Sequence, residues 1–199
     1  DDPKQREESI AIAIRYLDIA RDIGCPALRV FGGMLSKELD RKGNLRRVAE
    51  GLKRVTQHAE QKQVKILLET HDGWMLGEHC AAVVDAVGSP SLGVCWDVAA
   101  TYFQEPIQKT WSFVRGRTWH VQLKDAGKEN GEAKSRLPGE GEVDLRSALK
   151  LLHASGYTGY LSFEWEKKWV PSLAEPEVAF PHYISFCEGL MQELGVPRG

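Results

Sequence analysis

Four short runs in this chain each read as a β-strand that closes on a polar residue with an oxygen donor. They are Val64-Lys-Ile-Leu-Leu-Glu69, Leu92-Gly-Val-Cys-Trp-Asp97, Thr118-Trp-His-Val-Gln122 with Leu-Lys124-Asp125 behind it, and Gly159-Tyr-Leu-Ser-Phe-Glu164-Trp-Glu166. A helix-like stretch follows each run. An acid that ends an apolar strand is expected in a mouth rather than on a solvated face, and strand ends converge on one point when the pattern recurs around a parallel barrel. Two Glu, an Asp and a Gln at that point would offer a divalent cation hard oxygen ligands.

Strand and helix alternate along the whole chain. Residues 7–24 read as a helix with Ile10, Ile14, Leu17 and Ile23 as its apolar stripe and Gly24 as its stop. A strand at 27–31 and a helix at 45–61 precede the strand that ends at Glu69. A helix at 76–87, the Asp97 strand, a helix at 106–114 and the Gln122 strand succeed one another. Residues 127–141 read as a Gly-rich loop, 145–154 as a helix, and the Glu164 strand is followed by a helix from 181 to 194. Alternation of this kind predicts βα units and a parallel sheet. Five strands in 199 residues fall short of the roughly 250 residues of a complete eight-stranded barrel. The pattern therefore predicts an α/β fold, a partial (β/α)8 TIM barrel with strands 4–8 present and the first three βα units missing, forming one domain over residues 1–199. A small open five-stranded sheet is the alternative on pattern alone.

Composition narrows the partners. With 42% hydrophobic residues the chain can bury a core, and 26 basic against 28 acidic residues leave a net charge of −2 with no long run of one sign. That balance argues against nucleic-acid and membrane partners. Cys25, Cys80, Cys95 and Cys187 contain no C-x-x-C pair, which argues against a zinc knuckle and suits a reducing cytoplasm.

The runs Leu28-Arg-Val-Phe-Gly-Gly33, Leu67-Leu-Glu-Thr-His71-Asp, Cys95-Trp-Asp97, Val121-Gln-Leu-Lys-Asp125-Ala and Ser162-Phe-Glu164-Trp-Glu resemble, in order and spacing, the xylose-isomerase-like TIM barrels. That family includes sugar isomerases, ketose 3-epimerases, hydroxypyruvate isomerases, inosose dehydratases and the endonuclease IV branch. The resemblance implies one divalent ion, Mn2+ or Mg2+ rather than Zn2+, held by Glu69, Asp97, Gln122 and Glu164. It implies Glu69 and Glu164 as the catalytic acid–base pair, and an isomerase or epimerase that acts on a sugar or sugar phosphate through proton abstraction and an enediolate. A related lyase on the same cage, or a binding protein on a degenerate barrel, is the alternative, and pairing of copies is left open.

Two positions depart from the family. Gln122 stands where His is usual, and Ala100 stands where many relatives carry His three places beyond the aspartate. His120, on the face of Gln122, is the competing third ligand, and Glu166 competes with Glu164. His71 and Lys124 are expected to bind substrate, with His71 alternatively orienting Glu69 and Lys124 alternatively pairing with Glu164 or Glu166. Asp97 has a second reading as the N-cap of the next helix. Arg29, Trp74 and the Gly139-Glu-Gly141 turn fall where relatives bind or cover substrate.

Overall fold

The computed structural model describes residues 2–196. Five strands form one parallel sheet in the order β1-β2-β3-β4-β7: β1 Ala27–Val30, β2 Lys65–Glu69, β3 Leu92–Asp97, β4 Thr118–Gln122 and β7 Leu161–Ser162. Between them run α1 Pro3–Asp22, α2 Arg41–Lys62, a 3-10 turn Asp72–Trp74, α3 Gly77–Val87, α4 Val98–Tyr102, α5 Ile107–Val114, α6 Leu145–Ala154 and α7 Pro176–Leu194. A two-stranded antiparallel ribbon, β5 Asp125–Glu129 with β6 Glu132–Arg136, completes the elements. The five-stranded parallel sheet agrees with a TIM-barrel-like fold. No helix among the described residues is long and apolar enough to cross a membrane.

The chain clusters into two compact units. One holds the residues up to Trp96 together with Ser112–Trp119, and the other holds Asp97–Trp111 together with the residues from His120 onward. In the first unit α1 starts on an Asp2 cap followed by Pro3, the ring that suits a first helical position. Helix α2 starts on Asp40, whose carboxylate accepts from Gly43 N–H, and ends on a left-handed Gln63. The two helices are tied by the fork of Arg54 on Glu7 at 2.6 and 2.8 Å and by Lys62 on Asp18. A cavity of 740 Å3 lies among α1, β1 and α2, walled by Ile10, Leu28, Leu52 and Val55. Strands β2 and β3 are buried on both faces, as a parallel sheet requires.

Two sequence expectations change. Residues 127–141 are not a simple loop, because Asn130 and Gly131 adopt positive φ of 52° and 84° and turn β5 into β6. Asn-Gly is the residue pair that a tight two-residue hairpin demands. Helix α7 begins at Pro176, after Glu175, and runs through Pro181 rather than starting there. Pro176 suits the first helical position, where its missing N–H has no helical partner, whereas Pro181 lies inside the helix and supplies no N–H to the Glu177 carbonyl.

In the second unit α6 is capped by Asp144, which accepts from Ser147 N–H at 2.9 Å, and it buries Leu145, Ala148, Leu149 and Leu152. Phe163 stacks on Tyr183 of α7 at 4.6 Å between centroids, and the Tyr183 hydroxyl donates to the Leu161 carbonyl at 2.9 Å. Phe163 therefore faces the helices, as the strand period predicts for a neighbour of Glu164.

Gly93 in β3 lies beneath the Trp119 ring of β4, where a Cβ would come within 2.5 Å of ring atoms and 2.9 Å of the Arg117 carbonyl. The Lys65 ammonium sits 4.5 Å from the centroid of the same ring. Gly93→Ala is expected to lower unfolding free energy by about 1–3 kcal/mol through overpacking, read by urea denaturation. The Cys80 thiol is pushed up to about 12 by burial. The unfolded chain ionises this thiol first, so its titration costs stability once pH rises through the ordinary thiol range. In native protein Cys80 should resist iodoacetamide near pH 8 and react only after unfolding, as peptide mass spectrometry would record.

Candidate functional site

Parallel pairing carries the final residues of two neighbouring strands to the same end of their ladder, and in each unit an acid stands there. Glu69, the last residue of β2, lies opposite Cys95 of β3, and Asp97 follows one pleat later. Gln122, the last residue of β4, lies opposite Ser162 of β7, and Glu164 follows one pleat later. Strand pairing in β7 stops at Ser162, so Glu164 sits on extended chain beyond the ladder rather than inside a long strand.

In the first unit Glu69 is fully buried, and its Oε2 is 2.7 Å from an Arg29 guanidinium nitrogen. Arg29 also lies over the Phe31 ring at 4.8 Å. His71 bonds through Nδ1 to Asp72 Oδ1 at 3.0 Å and meets the Phe31 ring edge-on at 5.0 Å between centroids. Trp74 is 1% exposed and packs against Gly32, with the Arg41 guanidinium 5.5 Å from its ring centroid. Its ring is a core element of this unit.

In the second unit Asp97 and Glu164 meet on Lys124. The ammonium Nζ lies 3.0 Å from Asp97 Oδ2 and 2.6 Å from Glu164 Oε2. Asp97 is fully buried, while the Lys124 side chain is 14% and the Glu164 side chain 24% exposed. Burial alone would push the Lys124 ammonium down. The charges of Asp97 and Glu164, with their hydrogen bonds, outweigh it and hold the ammonium above the ordinary lysine range. Asp97 caps α4, as one of its two sequence readings has it, with Oδ1 accepting from Ala100 N–H at 3.0 Å, while Oδ2 faces the lysine ammonium. Gln122 is buried at the end of β4. His120 is half-buried, with Nε2 hydrogen-bonded to Ser162 Oγ at 2.7 Å.

Asp125 is the residue that sequence reasoning passed over. It is 1% exposed. Its Oδ2 accepts from Gly139 and Gly141 N–H at 2.8 and 3.0 Å, and its Oδ1 accepts from Ala126 and Val143 N–H at 2.8 and 3.1 Å. The Gly139-Glu-Gly141 turn is therefore wrapped around a carboxylate. A Cβ at position 141 would lie 2.1 Å from Asp125 Oδ1. The signal available in the sequence was an acid at the end of a strand with alternating glycines downstream.

Within the second unit Asp97 and Glu164 bring two carboxylates onto one ammonium, and carboxylate oxygens are the hard donors that divalent ions take, so this pair fits such an ion.

A sequence model described as xylose isomerase-like TIM barrel matches residues 1–186. The chain is 25% identical over 201 residues to the putative L-ribulose-5-phosphate 3-epimerase SgbU of Escherichia coli strain K12, covering 98% of this chain and 69% of that protein. It is 26% identical over 147 residues to an inosose dehydratase of Clostridium perfringens, covering 65% of this chain and 49% of that protein. This chain thus spans half to two thirds of the length of such relatives. Among solved structures, the IOLI protein with a bound zinc atom superposes with a TM-score of 0.83 at 17% identity, over 97% of this chain and 72% of that one. A Mycobacterium smegmatis protein in complex with magnesium superposes with a TM-score of 0.71 at 15% identity, over 97% and 69%.

Removal of the Asp125 carboxylate would leave four N–H groups without their acceptor, those of Ala126 and Val143 buried and those of Gly139 and Gly141 in part-buried bonds. Asp125→Ala is expected to cost at least about 3 kcal/mol, since hydrogen bonds to a charged acceptor are worth more than neutral ones. Urea denaturation with far-UV circular dichroism checks this.

Proposed function

The chain belongs to the xylose isomerase-like TIM barrel family, and on that premise we propose that it is part of a divalent-metal-dependent isomerase or epimerase acting on a sugar or sugar phosphate. We read its five strands as the fourth to eighth of an eight-stranded barrel. Glu69, Asp97, Gln122 and Glu164 would hold one cation, with Mn2+ or Mg2+ favoured by the all-oxygen set. The observation that carries the reading is the meeting of Asp97 and Glu164 on a single positive charge, with Lys124 Nζ at 3.0 and 2.6 Å. Two acids from different strand ends, aimed at one point, are what a cation site requires.

When bound, the ion would act as a Lewis acid that draws electron density from adjacent substrate oxygens. The protein supplies the proton chemistry. One carboxylate, from Glu69 or Glu164, takes the proton from a carbon next to a carbonyl, and the C–H electron pair moves into the carbon framework to give an enediolate. The other, carrying a proton at the start, delivers it and is left ionised, and exchange of both groups with solvent resets the pair. Delivery to the opposite face of the same carbon inverts its configuration, and delivery to the neighbouring carbon, with the hydroxyl proton passing from one oxygen to the other, moves the carbonyl. Oε2 of Glu164 already accepts from Lys124, so proton transfer at that oxygen requires the ammonium to move aside. Arg29 beside Glu69 fixes that carboxylate in direction. His71, half-exposed beside Phe31, and Lys124 are the proposed contacts to substrate.

The similarity to inosose dehydratases supports a second reading. The same enediolate can expel a β-hydroxyl as water, which would make the protein a lyase.

Turnover of ketoses and inososes with Mn2+ in D2O tests both readings. An epimerase incorporates deuterium at the inverted carbon and keeps the substrate's mass balance, whereas a dehydratase releases water and changes the product's absorbance. Glu164→Gln and Glu69→Gln should each lower kcat by at least about 100-fold and abolish stoichiometric Mn2+ binding. A protein that binds no Mn2+ or Mg2+ and turns over none of these sugars would overturn the proposal.

A further inference from the structure

We infer that Lys124 is an internal stand-in for the divalent cation: its ammonium occupies the Asp97–Glu164 carboxylate pair until an ion displaces it. This rests on the cation-holding role proposed above for those two acids. Asp97 Oδ2 and Glu164 Oε2, at 3.0 and 2.6 Å from one Nζ, are close enough to repel each other strongly without a positive charge. Asp97 is fully buried and the Glu164 side chain is 24% exposed, so water shields that repulsion only in part. The ammonium places one positive charge between the two oxygens, and a divalent ion would place two.

The two cations cannot share the oxygens. An ion ligated by Asp97 Oδ2 and Glu164 Oε2 would meet the ammonium at close range, like charge against like charge. Lysine is suited to give way. Its charge is a point at the end of a flexible four-carbon stem, with none of the fixed fork that holds an arginine on a carboxylate. Arg29 on Glu69 is the contrasting case, a partner that stays and orients.

Displacement also joins the two roles expected of Lys124. Paired, it stabilises the ion-free protein. Released, it becomes a positive group beside the reacting centre, able to hold an oxyanion or phosphate oxygen of the substrate. Ion binding would thus switch on the anion-binding group in the same step.

The test compares Mn2+ binding by isothermal titration calorimetry in metal-stripped wild type and Lys124→Gln, with circular dichroism to confirm folding. The substitution removes the competitor and should tighten Mn2+ binding by about tenfold or more. A second measurement uses the wild-type chain alone and does not depend on the variant folding. Acetic anhydride labelling of Lys124, read by peptide mass spectrometry, should accelerate several-fold when Mn2+ is added, because the ammonium leaves its carboxylates. Equal or weaker Mn2+ binding by folded Lys124→Gln, or labelling that Mn2+ leaves unchanged or slows, overturns the exchange while the cation site itself stands. Absence of Mn2+ binding in both proteins overturns the cation site and the exchange together. Binding by the variant alone supports the exchange, with lysine as a complete block.

Discussion

An acid withdrawn from water has to be answered by positive charge, and that requirement organises the strand ends of this protein. Glu69 and Asp97 have no exposed surface, yet each is met by a basic side chain, Arg29 in one unit and Lys124 in the other. An apolar residue at either position would avoid the desolvation cost altogether. The chain instead retains the acids and supplies a counter-charge for each. The cation site proposed above would give that retained charge a use.

Much of this was legible in the sequence because strands announce their ends. Ile66-Leu67-Leu68 before Glu69 and Val94-Cys95-Trp96 before Asp97 are apolar runs broken by an acid, and both became strands whose last residue is that acid. The facing of Phe163 toward α7 followed from the two-residue period. Less legible was what the acids touch. Whether Lys124 reaches a substrate or a neighbouring carboxylate depends on a rotamer and on a residue forty positions away, and local pattern carries neither. The β5–β6 ribbon was missed although Asn130-Gly131 marks its turn, because Glu129, Glu132, Lys134 and Arg136 offer no apolar alternation to flag the strands. Its turn end is exposed, and only Asp125, Ala126 and Gly127 at the other end are buried.

The fold tolerates wide sequence drift. A TM-score of 0.83 accompanies 17% identity, which is understandable when strand register and burial, rather than particular side chains, hold the sheet. Gly93 is a position where the packing leaves little freedom. The Trp119 ring lies close enough over it to leave no room for even a methyl group. Under the function proposed above, Gln122 in place of the family's usual histidine would offer an amide oxygen instead of a ring nitrogen.

Asp125 gathers amides from Ala126, Gly139, Gly141 and Val143 onto one carboxylate, so the ends of the ribbon and the approach to α6 share a single anchor. Loss of that one carboxylate would strip all four amides of their acceptor together, so the stretch between β4 and α6 hangs on a single side chain.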